Sequence, residues 1–320
     1  MPGAPRLFTV GSVVVDLSLR VPHLPARGGD VLGSAARMSA GGGFNILAAA
    51  ARQGLTSIFA GRHGTGPYGA RIRADFAREG ITTLLPPVAE GDSGFCLVMV
   101  EPDGERSFVS SPAVEAELGG RRLEDVPVAA GDTVFASGYD LAYAELGPAI
   151  AAWVEGLPRG VRVVFDPGPL VAEIPAPVLA RALGRADVWT MNRREAALLT
   201  GTPEPAAACA RLRPRLRPEA LLILRDGAAG AWVSRGRDLP PRLVPAPAVR
   251  MIDSTGAGDT HTGVLIAALA EGLGPIAAVT RANAAAALSV TCQGPATAPT
   301  RRALDAFPAE TACNQKREEV

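Results

Sequence analysis

The chain has 320 residues, 48% hydrophobic and 20% charged, enough to bury a sizeable core in one large domain or two ordinary ones of roughly 150 residues each. Its 32 basic and 32 acidic residues cancel, so the basic excess with which nucleic-acid binders displace counterions is absent, and nucleic acid is not an expected partner. Every basic residue except Lys316 in the polar tail is arginine, which excludes a Walker-type phosphate loop, a protein-kinase site and a Schiff-base lysine inside the fold.

From Arg6 to Val15 a β-branched run (RLFTVGSVVV) predicts a buried strand closed by Asp16. Asp16 is thereby expected at the carboxyl edge of a sheet, where ligands sit. After Asn45, the alanine-rich ILAAAARQG predicts a helix stopped by Gly54. The stretch from Gly94 to Ser111 (GFCLVMVEPDGERSFVSS) holds two extended runs around Pro102-Asp103-Gly104 and predicts a β-hairpin. With a further strand at about 31–40, it forms a small sheet projecting as a lid.

Apolar strands then alternate with helical stretches: TVFASG from Thr133, VRVVFDPG from Val161, DVWTMN from Asp187 and LLILRDG from Leu221. That alternation implies an α/β fold, a mainly parallel sheet covered on both faces. The expectation is a single domain over 1–307, with the lid strands inserted, and a polar tail at 308–320. Cys96, Cys209, Cys292 and Cys313 contain no CxxC pair, and neither a charged-then-apolar leader nor an 18-residue apolar run occurs. A cytoplasmic protein with reduced thiols and no membrane partner is expected. Cys96 and Cys292 read as packing groups, and the three histidines, His23, His63 and His261, make a histidine metal site a poor expectation.

The segment with most chemical content is Asp253-Ser254-Thr255-Gly256-Ala257-Gly258-Asp259, ahead of an apolar stretch from Thr260 to Leu273. It reads as a glycine turn opening a helix, whose unpaired N–H groups and dipole can hold phosphate oxygens without lysine. Asp259 in the first turn can accept a hydroxyl proton while those N–H groups stabilise charge on a transferring phosphoryl group. Taken alone, GxG plus Asp is more simply an ordinary helix start. Ala40-Gly41-Gly42-Gly43-Phe44-Asn45 brings backbone close to a partner, or is a turn with Asn45 as helix cap. Asn192-Arg193-Arg194-Glu195 ends a strand with Asn and Glu on one helical face, and Arg225-Asp226-Gly227-Ala228-Ala229-Gly230 is a glycine-bounded turn.

In this order, from about Leu7 to Phe307, these segments resemble the ribokinase-like (PfkB) carbohydrate kinases. DSTGAGD is similar to that family's C-terminal signature, with Ser254 for the usual Thr. AGGGFNILAAAARQG is similar to its N-terminal signature, with Ala40 where a first glycine is usual and Leu47 where a small residue is usual. Both departures bear on the shape of the sugar pocket.

The resemblance implies a three-layer α/β/α sandwich with a small β-sheet lid, and an ATP- and Mg²⁺-dependent kinase. Asp259 is then the general base, and Gly256, Ala257 and Gly258 supply the anion hole. Asp16, Gly41, Gly42 and Asn45 hold sugar hydroxyls. Asn192 and Glu195 match an NxxE motif associated with phosphate and Mg²⁺, through water. Gly227 and Gly230 match the nucleotide loop, where Arg225 replaces a Thr or Lys and is able to pair with phosphate. Asn283, in ANAAAALSVTCQG, is a candidate nucleotide contact. Carbonyls near Asp253, Thr255, Ser289 and Gly294 are candidates for a monovalent cation such as K⁺. Arg106, on the lid, contacts substrate or pairs with a carboxylate, and the lid also implies a homodimer contact.

The leading expectation is transfer of the ATP γ-phosphate to a hydroxymethyl group of a carbohydrate, a pentose favoured. The alternatives are a nucleoside acceptor of the adenosine or pseudouridine type, or a non-catalytic sugar or nucleotide sensor on the same fold. A dinucleotide-binding oxidoreductase lacks its GxGxxG after the first strand. His261 reads as a packing residue of the helix after Asp259.

Overall fold

The computed structural model describes residues 3–236 and 239–307; the tail expected at 308–320 lies outside the described residues. In chain order the elements are β1 (Arg6–Thr9), β2 (Val13–Arg20), β3 (Ser34–Gly42), α1 (Gly43–Arg52), β4 (Thr56–Phe59), α2 (Pro67–Glu79), β5 (Thr82–Thr83), β6 (Phe95–Val100) and β7 (Arg106–Ser111). There follow β8 (Thr133–Ser137), α3 (Gly138–Ala142), α4 (Leu146–Gly156), β9 (Arg162–Asp166), α5 (Ala176–Arg185), β10 (Val188–Asn192), α6 (Arg193–Thr200), α7 (Pro205–Leu212) and β11 (Leu221–Arg225). The chain then adds β12 (Ala231–Arg235), β13 (Arg242–Val244), α8 (Ala257–Ala270), α9 (Pro275–Ser289) and α10 (Arg301–Asp305).

The main sheet has nine strands in the order β13-β12-β11-β10-β9-β8-β1-β4-β5. Pairing is parallel from β11 to β5, and β12 and β13 close the other edge antiparallel. Successive residues of each strand feed opposite cores, as the two-residue period of a strand dictates. Val134, Val163 and Phe165 pack under α4, α5 and α7, whereas Phe135 and Val164 pack under α1, α8 and α9. The result is three layers, helices on both faces of a mainly parallel sheet.

α8 is buried on all sides from Thr260 to Leu269 and crosses α1 closely. A Cβ on Gly263 would lie 2.6 Å from that of Ala49, so a glycine is required at the crossing. No described helix is long and apolar enough to cross a membrane.

A second sheet, ordered β3-β2-β6-β7, forms the lid. Here the run RLFTVGSVVV differs from its reading as one buried strand. The chain leaves the main sheet after Thr9 and enters the lid at Val13. Asp140 causes the break: Ser12 donates to its Oδ1 from both backbone N and Oγ, each at 2.7 Å, and a Cβ on Gly11 would overlap the same carboxylate. Asp16 is consequently in the middle of a lid strand, opposite Ser39 and Cys96, rather than at the edge of the main sheet.

Candidate active site

The carboxyl ends of β9, β10 and β11 converge on the start of α8, the edge of a parallel sheet at which ligands generally bind. α8 is preceded by Gly256, whose φ of 72° is left-handed, and a Cβ there would overlap the carbonyl of Pro295. The turn leaves the first N–H groups of the helix without intrahelical acceptors. Gly256→Ala should therefore cost about 1–3 kcal/mol in urea unfolding, and unchanged stability would show that the turn can relax.

Asp259 stands in the first turn of α8. Asn45 in the first turn of α1, where Gly42 rather than Asn45 is the cap, donates from Nδ2 to Asp259 Oδ2 at 2.9 Å. The Oδ1 of Asn45 is buried with no partner among the described residues. Burial pushes Asp259 up to about 6; Asp166 adds to the shift, while Asn45 and Arg225 oppose it. Asp16 faces this pair from the lid. Its carboxylate occupies the space where Gly41 would carry a Cβ, and burial, helped by Asp259, raises it to about 7.

Arg225 points inward, beneath the glycine turn. Its Nη1 lies 2.9 Å from Asp166 Oδ2, 2.8 Å from Thr262 Oγ1, 3.2 Å from Thr190 Oγ1 and 3.4 Å from the carbonyl of Gly258. Its Nη2 is 3.6 Å from Glu195 Oε2. Arg225, expected to pair with nucleotide phosphate, here forms a buried ion-pair hub with the carboxylates of Asp166 and Glu195, and Asp259 adds to the field that favours its charge. Asp166 went unnoticed in the sequence, although an acid ending a buried run, VRVVFDPG, carries the same signal as Asp16.

Asn192 and Glu195 form a capping box at the start of α6: Asn192 Oδ1 accepts from Glu195 N at 2.9 Å, and Glu195 Oε2 accepts from Asn192 N at 2.7 Å. Burial raises Glu195 to about 7, with Asp166 adding to the effect and Arg225 opposing it. Gly227 and Gly230 both have left-handed φ, and a Cβ on Gly230 would overlap the carbonyl of Val244. Asn283 is buried, its Nδ2 donating to the carbonyls of Val244 and Pro245 at 2.8 and 3.3 Å, so it shapes that loop. His261 is buried beside Arg225, which together with burial lowers it to about 3 and keeps the ring neutral.

Of the two roles expected for Arg106, the structure shows the ion pair. Its guanidinium reaches from β7 to Asp253 Oδ1 at 2.7 Å and Ser254 Oγ at 3.1 Å, tying the lid to the signature loop. Asp253 also accepts from Thr255 N, Thr255 Oγ1 and Gly294 N. Burial acts against that charge, but these bonds and Arg106 hold its carboxyl below the usual range. The Ser289 and Gly294 carbonyls both accept from Thr297 Oγ1.

Two cavities flank the Arg106 contact. One of about 830 Å³ is lined by Arg106, Phe108, Ser110, Tyr139, Arg194 and Ser254 among others. The other, of about 420 Å³, opens beside Asp16 between the lid and the 293–297 segment. Among the described residues no group of three or more His, Cys, Asp or Glu side chains is set to hold a metal ion.

The model of the pfkB family carbohydrate kinases matches residues 4–301. The chain is 35% identical over 301 residues to the uncharacterized sugar kinase YegV of Escherichia coli, covering 93% of this chain and 92% of that protein. It is 31% identical over 297 residues to the ribokinase of Haemophilus influenzae, covering 90% and 93%. Among solved structures, Arabidopsis thaliana ribokinase complexed with ribose and ATP superposes with a TM-score of 0.76 at 23% identity, covering 96% of this chain and all of that one. The fructokinase of Vibrio cholerae, bound to fructose, ADP and calcium, gives 0.76 at 27% identity, covering 95% and 99%. With its signature turn, its lid and a family match along nearly its whole length, the chain belongs to the PfkB family of carbohydrate kinases, phosphotransferases of the ribokinase type.

Proposed function

We propose that the protein transfers the γ-phosphate of ATP to the hydroxymethyl group of a sugar, a pentose favoured, by direct in-line displacement with Asp259 as general base. The observation that carries this reading is the Asn45–Asp259 pair at the start of α8, directly beside the N–H groups of the glycine turn. Asn45 fixes one carboxylate oxygen of Asp259 and leaves the other for the acceptor hydroxyl. As the acceptor oxygen bonds to the γ-phosphorus, its proton passes to Asp259 and the bond to the β,γ-bridging oxygen breaks, so that ADP leaves with the electron pair. The N–H groups of Gly256, Ala257 and Gly258 hold the developing charge, backed by the dipole of α8 and the Arg225 cation.

Asp16, Gly41, Gly42 and Asn45 are the proposed acceptor ligands, and the orphaned Oδ1 of Asn45 supplies an acceptor for a sugar hydroxyl. Gly227, Gly230 and Asn283 shape the proposed nucleotide loop. Mg²⁺, when bound with the nucleotide, would neutralise phosphate charge. Glu195 and Asn192 fit a hydrated ion carried by the nucleotide, since their side chains already bond each other. The convergent carbonyls of Ser289 and Gly294 fit a monovalent cation such as K⁺, alongside Asp253 and Thr255.

The test is ADP release from MgATP across pentoses, hexoses, sugar acids and nucleosides, with and without K⁺. One strong sugar substrate is expected, and a nucleoside as best acceptor would overturn the pentose assignment. With that sugar, Asp16→Ala should raise KM for the acceptor about 10–100-fold, a charge-assisted hydrogen bond lost, and leave KM for ATP within twofold. The reverse pattern would remove Asp16 from the acceptor site.

A further inference from the structure

The cleft-facing side of the lid carries more positive charge than neutral sugar recognition needs. On β2 the residues that share a face with Asp16 are Ser18 and Arg20, by the two-residue period of a strand. Arg37 on β3 is the register partner of Ser18, about 7 Å along the strand from Asp16 at ~3.3 Å per residue. Arg20 and Arg37 line the cavity of about 420 Å³ that opens beside Asp16. The Arg20 side chain has no hydrogen bond or ion pair among the described residues. Arg37 donates one bond, from Nη2 to Gln293 Oε1 at 3.0 Å, and keeps its other donors. The other ionisable groups on this cavity are Asp16, already assigned to hydroxyls, and Asp253, already matched by Arg106.

We propose that this cavity binds a negatively charged substituent of the acceptor, a carboxylate or a phosphate, through Arg20 and Arg37. The inference rests on the reading of the adjoining cleft as the acceptor site. An acceptor with its hydroxymethyl end at Asp259 and its middle at Asp16 directs its far end along β2 towards these arginines. Guanidinium groups suit this task, because their fork of donors matches the paired oxygens of carboxylate and phosphate. The preferred substrate is accordingly a sugar acid or a sugar phosphate charged at the end remote from the accepting hydroxymethyl.

Two arms distinguish the sources of charge. Steady-state kinetics compare a pentose, the corresponding pentonic acid and the pentose 1-phosphate, each in wild type and in the Arg20→Gln/Arg37→Gln double variant. One charged acceptor should exceed the neutral pentose at least tenfold in kcat/KM. The double variant should lose that advantage through KM, while its kcat/KM for the neutral pentose stays within threefold. Calorimetric titration of wild type and variant with the pentonic acid and the pentose 1-phosphate, in the absence of nucleotide, reads binding without turnover. Arginine-dependent binding without turnover of any acceptor would sink the kinase reading and keep the anion site. Turnover of the neutral pentose with no preference for either charged form, or an equal loss for all three acceptors in the variant, would overturn the proposal.

Discussion

Asp259→Asn is expected to lower turnover about 10²–10⁴-fold, the range of a lost general base, while ATP and acceptor bind within about threefold of wild type. Asparagine keeps the shape of the side chain and still accepts from Asn45 Nδ2, so positioning survives and only proton removal is lost. The pH dependence sharpens the test. Asp259 must be ionised to act, and with its carboxyl raised to about 6, activity is present above that pH and falls as the pH drops through it. Asp16 and Glu195, each near 7, stand close enough that the acid limb is a property of the group rather than of Asp259 alone. With Asp259 gone, residual turnover of the variant should show an acid limb shifted from the wild-type one, since only Asp16 and Glu195 then titrate. Near-normal turnover, or the same acid limb in variant and wild type, would remove Asp259 from the role.

Arg225→Met should produce the largest loss of stability of any single change in the cleft. Among the described residues the guanidinium is the one ion-pair partner of both Asp166 and Glu195, and its removal leaves these carboxylates facing one another. Breaking one side of such a buried network costs about 3–5 kcal/mol, whereas an exposed ion pair contributes about 0–1 kcal/mol. Urea unfolding at pH 7.5 measures the difference. Adding Asp166→Asn to Arg225→Met should recover part of the loss, because the uncompensated charge is then removed with its partner. Arg225→Lys keeps the charge but cannot reach Asp166, Thr190, Thr262 and the Gly258 carbonyl together, so an intermediate loss is expected. A loss under about 1 kcal/mol for Arg225→Met would mean that the carboxyls simply protonate and that the hub is not structurally required.

Much of the architecture was legible because its signals are local. β8, β9, β10 and β11 are apolar runs ended by polar residues, and the DSTGAGD turn announces both a helix start and its acid. The reading failed where distant residues decide. Nothing between Arg6 and Val15 marks the crossing from one sheet to the other; Asp140, 128 residues later than Ser12, sets it through two hydrogen bonds. Arg225 reads from the sequence only as a cation beside a glycine loop, able to pair with phosphate, and its inward pairing with Asp166 and Glu195 follows from the convergence of β9 and β10. The Asn192–Glu195 pair shows a subtler ambiguity. Its spacing fits phosphate chemistry and a capping box alike, and the hydrogen bonds seen here belong to the cap.

The proposed acceptor site depends on the lid, and Arg106 ties the lid to Asp253 and Ser254. Closing a lid excludes water, which protects the γ-phosphate from hydrolysis. The contact joins the lid sheet that carries Asp16 to the signature turn proposed to hold the phosphate, so both halves of the proposed reaction share one anchor.

The most direct test of this account follows the γ-phosphorus of MgATP by proton-coupled phosphorus NMR in the presence of the best sugar acceptor. The account predicts loss of the γ-signal matched by a phosphomonoester triplet, split by the two protons of a hydroxymethyl carbon. Conversion to inorganic phosphate alone, or a doublet from a secondary hydroxyl, would contradict it.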